Sequence, residues 1–405
     1  MSNRFKALIL SVSLVVVLFM VAGGLVVRAS DSDGAYRQLG VYSEVLSRIR
    51  SEYVEEPNIP KVTDGALHGL LESLDANSSY LNPEQYKSYK EHKHEGKADV
   101  GAAISKRFGY AAVIAVVPGG PADKAGIEGS DIVESIEGQS TRDMSLAEIR
   151  DKLSGTPGSN VLVSIVRARR AEPQKMTLTR EVVAYPAVAD KLLEDQIGYL
   201  QADILNKGKA QEIAGKIKVL QRQGAKKLIL DLRDCADGEE GEGVAVANLF
   251  LNHGTIAYLQ GQKYPRQTFN ADPSKAVTNL PLVVMVNRGT AGPAEIVAGA
   301  IMENGRGDVV GDKTFGVGSV QKLIEIPDGS ALILSVAKYY TPSGKAIQDT
   351  AITPNVLVAD ASQDVVLPDD DSSNATDQER KLEKQHEDDQ LHKAIDVLKT
   401  RQAKS

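Results

Sequence analysis

The longest apolar stretch opens the chain. Ala7 to Val27 is an unbroken uncharged run dominated by Val, Leu, Ile and Ala, long enough to cross a bilayer as a helix. Arg4 and Lys6 precede it, which predicts a cytoplasmic amino end and export of the rest. Val27-Arg28-Ala29 before Ser30 also permits a signal-peptidase cut, although the length of the run favours an anchor. After the polar link Ser30–Gly34 the period becomes helical: Leu39, Tyr42, Leu46, Ile49 and Tyr53 recur at three- and four-residue steps. Leu67, Leu70, Leu71 and Leu74 repeat that pattern after Asp64.

From about residue 97 the pattern shortens to β-rich runs at 111–117, 132–136 and 161–166, with a helix expected over Met144–Leu153. From Val183 to Val358 strands and helices alternate, as in a layered α/β core. Residues 227–233 and 282–286 are near-continuous apolar strands; the second feeds a glycine turn and a helix from Glu295 to Met302. Asp369 to Asp377 reads as a flexible acidic link. The stretch after Asp389 reads as a helix with Leu391, Ile395 and Leu398 on one face, which makes self-association through it an expectation. Five regions follow: 1–30 (signal anchor or signal peptide), 31–96 (helical), 97–182, 183–360 (core) and 361–405 (acidic linker and helix).

Composition narrows the chemistry. The net charge is -7 and there is no Trp and no basic stripe, so nucleic acid is not an expected partner. Cys235 is the one cysteine and the six histidines form no His-Glu-x-x-His arrangement. Neither a disulfide, a metal nor another cofactor is expected.

Two segments carry the chemical signal. One runs Asn287-Arg288-Gly289-Thr290-Ala291-Gly292-Pro293-Ala294-Glu295-Ile296; the other runs Lys313-Thr314-Phe315-Gly316-Val317-Gly318-Ser319-Val320-Gln321. Together they resemble the signature of the carboxy-terminal processing peptidases, or tail-specific proteases. That family writes the first as G-S-A-S-A-S-E, with the middle Ser as nucleophile. It writes the second as T-F-G-K-G-[ST]-V-Q, with Lys as base and Gln orienting it. Leu74-Asp75-Ala76-Asn77-Ser78-Ser79-Tyr80 resembles the family's L-D-P-H-S-x-Y, and Tyr340-Thr341-Pro342-Ser343-Gly344 its closing turn. The resemblance implies a mixed α/β fold: a ClpP/crotonase-like peptidase core with an inserted PDZ domain and helical terminal segments.

Slot by slot, the nucleophile position holds Gly292, the base position holds Val317, and Gln321 is retained. Pro293 follows Gly292 where a backbone N–H would serve the oxyanion, and proline has none. The family's D-L-R-x-N-P-G-G segment becomes Asp231-Leu232-Arg233-Asp234-Cys235-Ala236-Asp237-Gly238, placing Asp237 beside the other donor. A Ser–Lys peptidase needs a hydroxyl, an amine and oxyanion donors. Thr290 and Ser319 each lie two residues from a slot, an offset of about 6–7 Å along a strand, and attack geometry tolerates far less. Thr290 is expected to serve the turn, Lys313 to be a solvated loop lysine, and Cys235 to be a buried thiol.

The segment Gly119-Gly120-Pro121-Ala122, with Gly126-Ile127-Glu128-Gly129-Ser130-Asp131, resembles a circularly permuted PDZ domain. Ser130 stands where that family has its last Gly, and Gly129 is expected to take over the turn. Such a domain implies strand addition of a peptide, with a terminal carboxylate held by loop amides. The candidate loop is Val100, Gly101, Ala102, Ala103 and Ile104, and Asp99 beside it would repel a carboxylate.

The reading is an exported, membrane-tethered or secreted pseudo-peptidase that faces the periplasm or cell exterior. It would bind peptides or protein C-termini and regulate or scaffold an active processing peptidase. The alternative is an active serine-type endopeptidase cleaving protein C-termini with a non-standard residue set. A third reading is an assembly subunit whose groove binds nothing.

Overall fold

The computed structural model describes residues 32–92, 98–107, 109–167, 172–348, 350–359 and 389–400. The apolar run Ala7–Val27 and the acidic link Asp369–Asp377 lie outside the described residues. The chain divides into two compact units, residues 1–66 and 67–405. The first holds helix α1 (Ser32–Glu52), on which Leu39 and Tyr42 are exposed; Tyr53, just past its end, is exposed too. Helix α2 (Ile59–Glu72) runs across the boundary.

In the second unit the region read as helical also contributes a short strand. β1 (Ser79–Leu81) precedes α3 (Pro83–His92) and pairs antiparallel with a strand of the core, Ser79 opposite Ile333. Three residues are too few to show a period, and the strand exists because its partner offers an unpaired stretch of backbone.

Next comes a six-stranded antiparallel sheet: β2 (Ala102–Arg107), β3 (Tyr110–Val116), β4 (Ile132–Ile136), β5 (Gln139–Ser140), β6 (Asn160–Val166) and β7 (Gln174–Thr179). The order is β2-β3-β4-β6-β7 with β5 on β4, so β2 is an edge. α4 (Pro121–Lys124) and α5 (Leu146–Leu153) cover it, and Ser145 caps α5 by accepting from the Glu148 N–H. The turn before β4 corrects an expectation. Ser130, not Gly129, takes the left-handed conformation, with φ at 76°. A Cβ on Gly129 would press on the Ile114 carbonyl at 3.0 Å, so Gly129 is kept small by contact instead.

The core sheet uses β8 (Ala189–Leu193), β9 (Ile197–Gln201), β10 (Lys227–Asp231), β13 (Leu282–Val286), β14 (Asp308–Gly311) and β17 (Val356–Leu357). Its order is β17-β14-β13-β10-β9-β8, parallel throughout except for β8. The second core sheet is β1-β16-β11-β12 with β15 on β16. It comprises β11 (Thr255–Gln260), β12 (Gln267–Asn270), β15 (Ser319–Glu325) and β16 (Ala331–Tyr340).

Both faces of the parallel sheet are covered, which is why its strands read as continuous apolar runs. Leu228, Leu230, Leu282 and Val284 face α6 (Lys209–Arg222), α7 (Glu240–Asn248) and α8 (Pro293–Glu303) through Ile217, Val246 and Val297. Ile229, Val283 and Met285 face the other way. There they meet α9 (389–400), whose Ala394 and Leu398 are fully buried, with Leu391 and Ile395 packed alongside. The apolar stripe expected to support self-association is therefore used within the chain. Gln390 fixes the docking by donating to the Val358 carbonyl (3.1 Å), and Lys399 pairs with Asp195 at 2.9 Å.

Candidate functional site

Three neighbouring parallel strands, β10, β13 and β14, deliver their carboxyl ends to one place, the position where open α/β sheets put their sites. β10 leads into Asp234–Gly238, β13 into Asn287–Gly292 and α8, and β14 into Thr314–Val317. The first two loops are locked by side chains. Asn287 Oδ1 accepts from the Asp234 and Gly289 N–H groups at 3.0 Å, and Asn287 Nδ2 donates to Asp234 Oδ1. A Cβ on Gly289 would collide with that carboxylate, so only glycine fits. Thr290 is fully buried; its hydroxyl donates to the Leu232 carbonyl (2.7 Å) and accepts from the Asn287 N–H (3.0 Å). It is spent on the turn, as expected.

Glu295, which the sequence placed in the motif and at the start of a helix but gave no role, is the centre of the site. Its carboxylate is fully buried in the first turn of α8. It accepts from the Gly292 N–H (3.0 Å), the Gly316 N–H (2.9 Å), the Val317 N–H (2.8 Å) and the Thr314 hydroxyl. The Gly292 and Val317 amides share one oxygen, Oε2. The two slots named from the sequence are thus side by side, tied by a carboxylate. Burial pushes Glu295 up to about 7, against these hydrogen bonds, which favour its ionised form.

At the slots themselves there is no reactive group. Gly292 has φ 60° and ψ -122°, a conformation strained for any residue with a side chain, and a Cβ built there meets nothing within 4 Å. Val317 is half-buried and presents an alkyl group. The retained Gln321 donates to Ser319, to its carbonyl at 3.1 Å and its hydroxyl at 2.8 Å. Asn77 donates to the same hydroxyl at 3.1 Å, joining the loop before β1 to this cluster. Pro293 opens α8 and has no N–H. On the other side the Gly238 N–H is taken by the Asp237 carboxylate at 2.8 Å. Gly238 has φ 139°, and a Cβ there would strike the Leu205 carbonyl. Cys235 is fully buried, and burial pushes its thiol well up, so it is no nucleophile at neutral pH. Lys313 is an exposed loop residue.

The candidate peptide loop lies in the same unit. Val100 is buried and its carbonyl accepts from the Ala122 N–H; the Gly101 carbonyl accepts from the Val117 N–H, both at 2.8 Å. Gly101 has φ 69° and its N–H donates to Asp99 Oδ1 at 2.6 Å. Ala102, Ala103 and Ile104 run along the β2 edge, where Arg150 of α5 donates to the Ile104 carbonyl at 3.0 Å.

Comparison with known proteins decides the family. Residues 196–358 match the model of peptidase family S41, and residues 113–167 match a PDZ domain. The carboxy-terminal-processing protease of Bartonella bacilliformis is 30% identical over 357 residues, covering 84% of this chain and 82% of that one. The chain belongs to the carboxy-terminal processing protease family. The Picosynechococcus carboxyl-terminal-processing protease is 34% identical over 319 residues, covering 76% of each chain. Among solved structures, the photosystem II D1 C-terminal processing protease aligns with a TM-score of 0.65 at 26% identity, covering 78% of this chain and 92% of that one. The fold is accordingly the mixed α/β peptidase fold with a PDZ domain. The PDZ domain and the protease family together point to peptides or protein C-termini as the class of partner.

Proposed function

We propose that this member of the processing-protease family is a pseudo-peptidase, exported or membrane-tethered by Ala7–Val27, that binds extended peptide segments and regulates or scaffolds an active relative. One observation carries the reading. The amides of Gly292 and Val317 share a single Glu295 oxygen, so the slots are assembled, yet neither residue has a hydroxyl or an amine. Proton transfer and acyl transfer have no group to run through. Pro293 and the Asp237-occupied amide of Gly238 support the same conclusion from the oxyanion side.

The test is hydrolysis of casein and of a tailed peptide by the purified protein, alongside the triple variant Gly292→Ser, Pro293→Ala, Val317→Lys. The expected result is no turnover by the unaltered chain and measurable turnover by the variant, since the space at Gly292 is open. Cleavage by the unaltered chain that Thr290→Ala or Cys235→Ala abolishes would sink the proposal.

A further inference from the structure

Within the second unit, the end of α2 meets the PDZ domain through a single ion pair. Glu72, in the last turn of α2, accepts from Lys106 of β2, whose side chain is buried at 4% exposure. Lys106 Nζ also donates to the Met144 carbonyl at 2.8 Å, next to the Ser145 cap of α5. One pair thus ties α2 to the edge strand and to the helix that covers the sheet. An ammonium this deep depends on keeping its carboxylate.

His68 stands one turn before Glu72 on the same helix face. Its Nε2 is shut off from solvent and has no hydrogen-bond partner; it stops 3.6 Å from Oε2, the second oxygen of Glu72. Charged groups reach the ring from three elements: Glu72 from α2, Lys106 from β2 and Asp143 from the turn before α5. A neutral imidazole leaves the ion pair undisturbed. A protonated one places a second cation beside Lys106, with the Glu72 carboxylate shared between them.

We propose that His68 makes the contact between α2 and the PDZ domain an acid-released latch, closed while the ring is neutral and opened when it takes a proton. The proposal does not depend on the pseudo-peptidase reading, because it concerns how the PDZ domain is held and not what the slots hold. Burial, and then the charge of Lys106, keep the docked imidazole below its ordinary value of 6.5, against the pull of Glu72 and Asp143. An undocked ring takes its proton at the ordinary value. Docking is therefore at full strength above pH 6.5 and weakens as pH falls from there through the depressed docked value.

The experiment is amide hydrogen exchange on the full chain between pH 7.5 and 5.5, corrected for the intrinsic rate at each pH, with the His68 ring followed by NMR. Amides of residues 67–72 should open at least threefold more often at pH 5.5 than at pH 7.5, while those of β10 and β13 keep their protection. The His68 ring should titrate below 6.5, a reading that uses the unaltered chain and so stands even where a variant fails to fold. His68→Gln should remove the pH response of residues 67–72. A ring that titrates at or above 6.5, opening that does not change with pH, or an equal pH response in His68→Gln would each overturn the inference.

Discussion

Single residues in this protein show what a family position demands when its usual occupant is absent. Ser130 replaces a glycine and still adopts φ 76°, a conformation that costs a side-chain-bearing residue about 1–2 kcal/mol. Ser130→Gly should raise stability by about 0.5–1 kcal/mol after the entropy of the new glycine is subtracted, measured as a shift of the denaturant midpoint at constant slope. Glu295 makes a pH prediction. Its folded value of about 7 lies above an ordinary value of 4.5, so between those pH values the folded state holds a proton that the unfolded state has lost. Stability should therefore fall as pH rises through that window, by on the order of 3 kcal/mol. Glu295→Gln should be flat there and less stable at pH 8, because its amide NH₂ faces groups that donate. Cys235, fully buried, should react with a thiol reagent only at the rate of unfolding.

At the scale of elements, α9 is the clearest case of a pattern that predicts burial without predicting against what. Leu391, Ile395 and Leu398 mark a face that must be covered, and an amphipathic stripe is equally suited to a second copy or to the chain's own sheet. The other half of the contact, Ile229, Val283 and Met285, sits more than 100 residues away. Leu398→Ala should cost about 2–5 kcal/mol, read by denaturant unfolding at two protein concentrations. A concentration-independent loss fits docking in cis; a midpoint that moves with concentration would contradict it. β10 and β13 were legible because covering both faces leaves an unbroken apolar run. β1 was not, because three residues carry no period. The Glu295 clamp was not legible either: its donors Gly316 and Val317 lie on a separate loop that only the strand order β13-β14 brings alongside. The two slot residues themselves were readable, since absence of a hydroxyl or an amine is a property of the letter and needs no coordinates.

For the whole molecule, the parallel sheet positions three loops, the buried carboxylate ties two of them, and the PDZ edge opens beside the third. The two slots so assembled hold glycine and valine. The PDZ domain and the family point to peptides or protein C-termini as the partners of such a molecule. The most direct measurement is to incubate the purified full chain with a tailed peptide and follow bound and cleaved species together by anisotropy and mass spectrometry. The account predicts a bound peptide recovered at its original mass after many hours. A peptide that shortens with time, with the shortening lost when Thr290 is replaced by alanine, would contradict it.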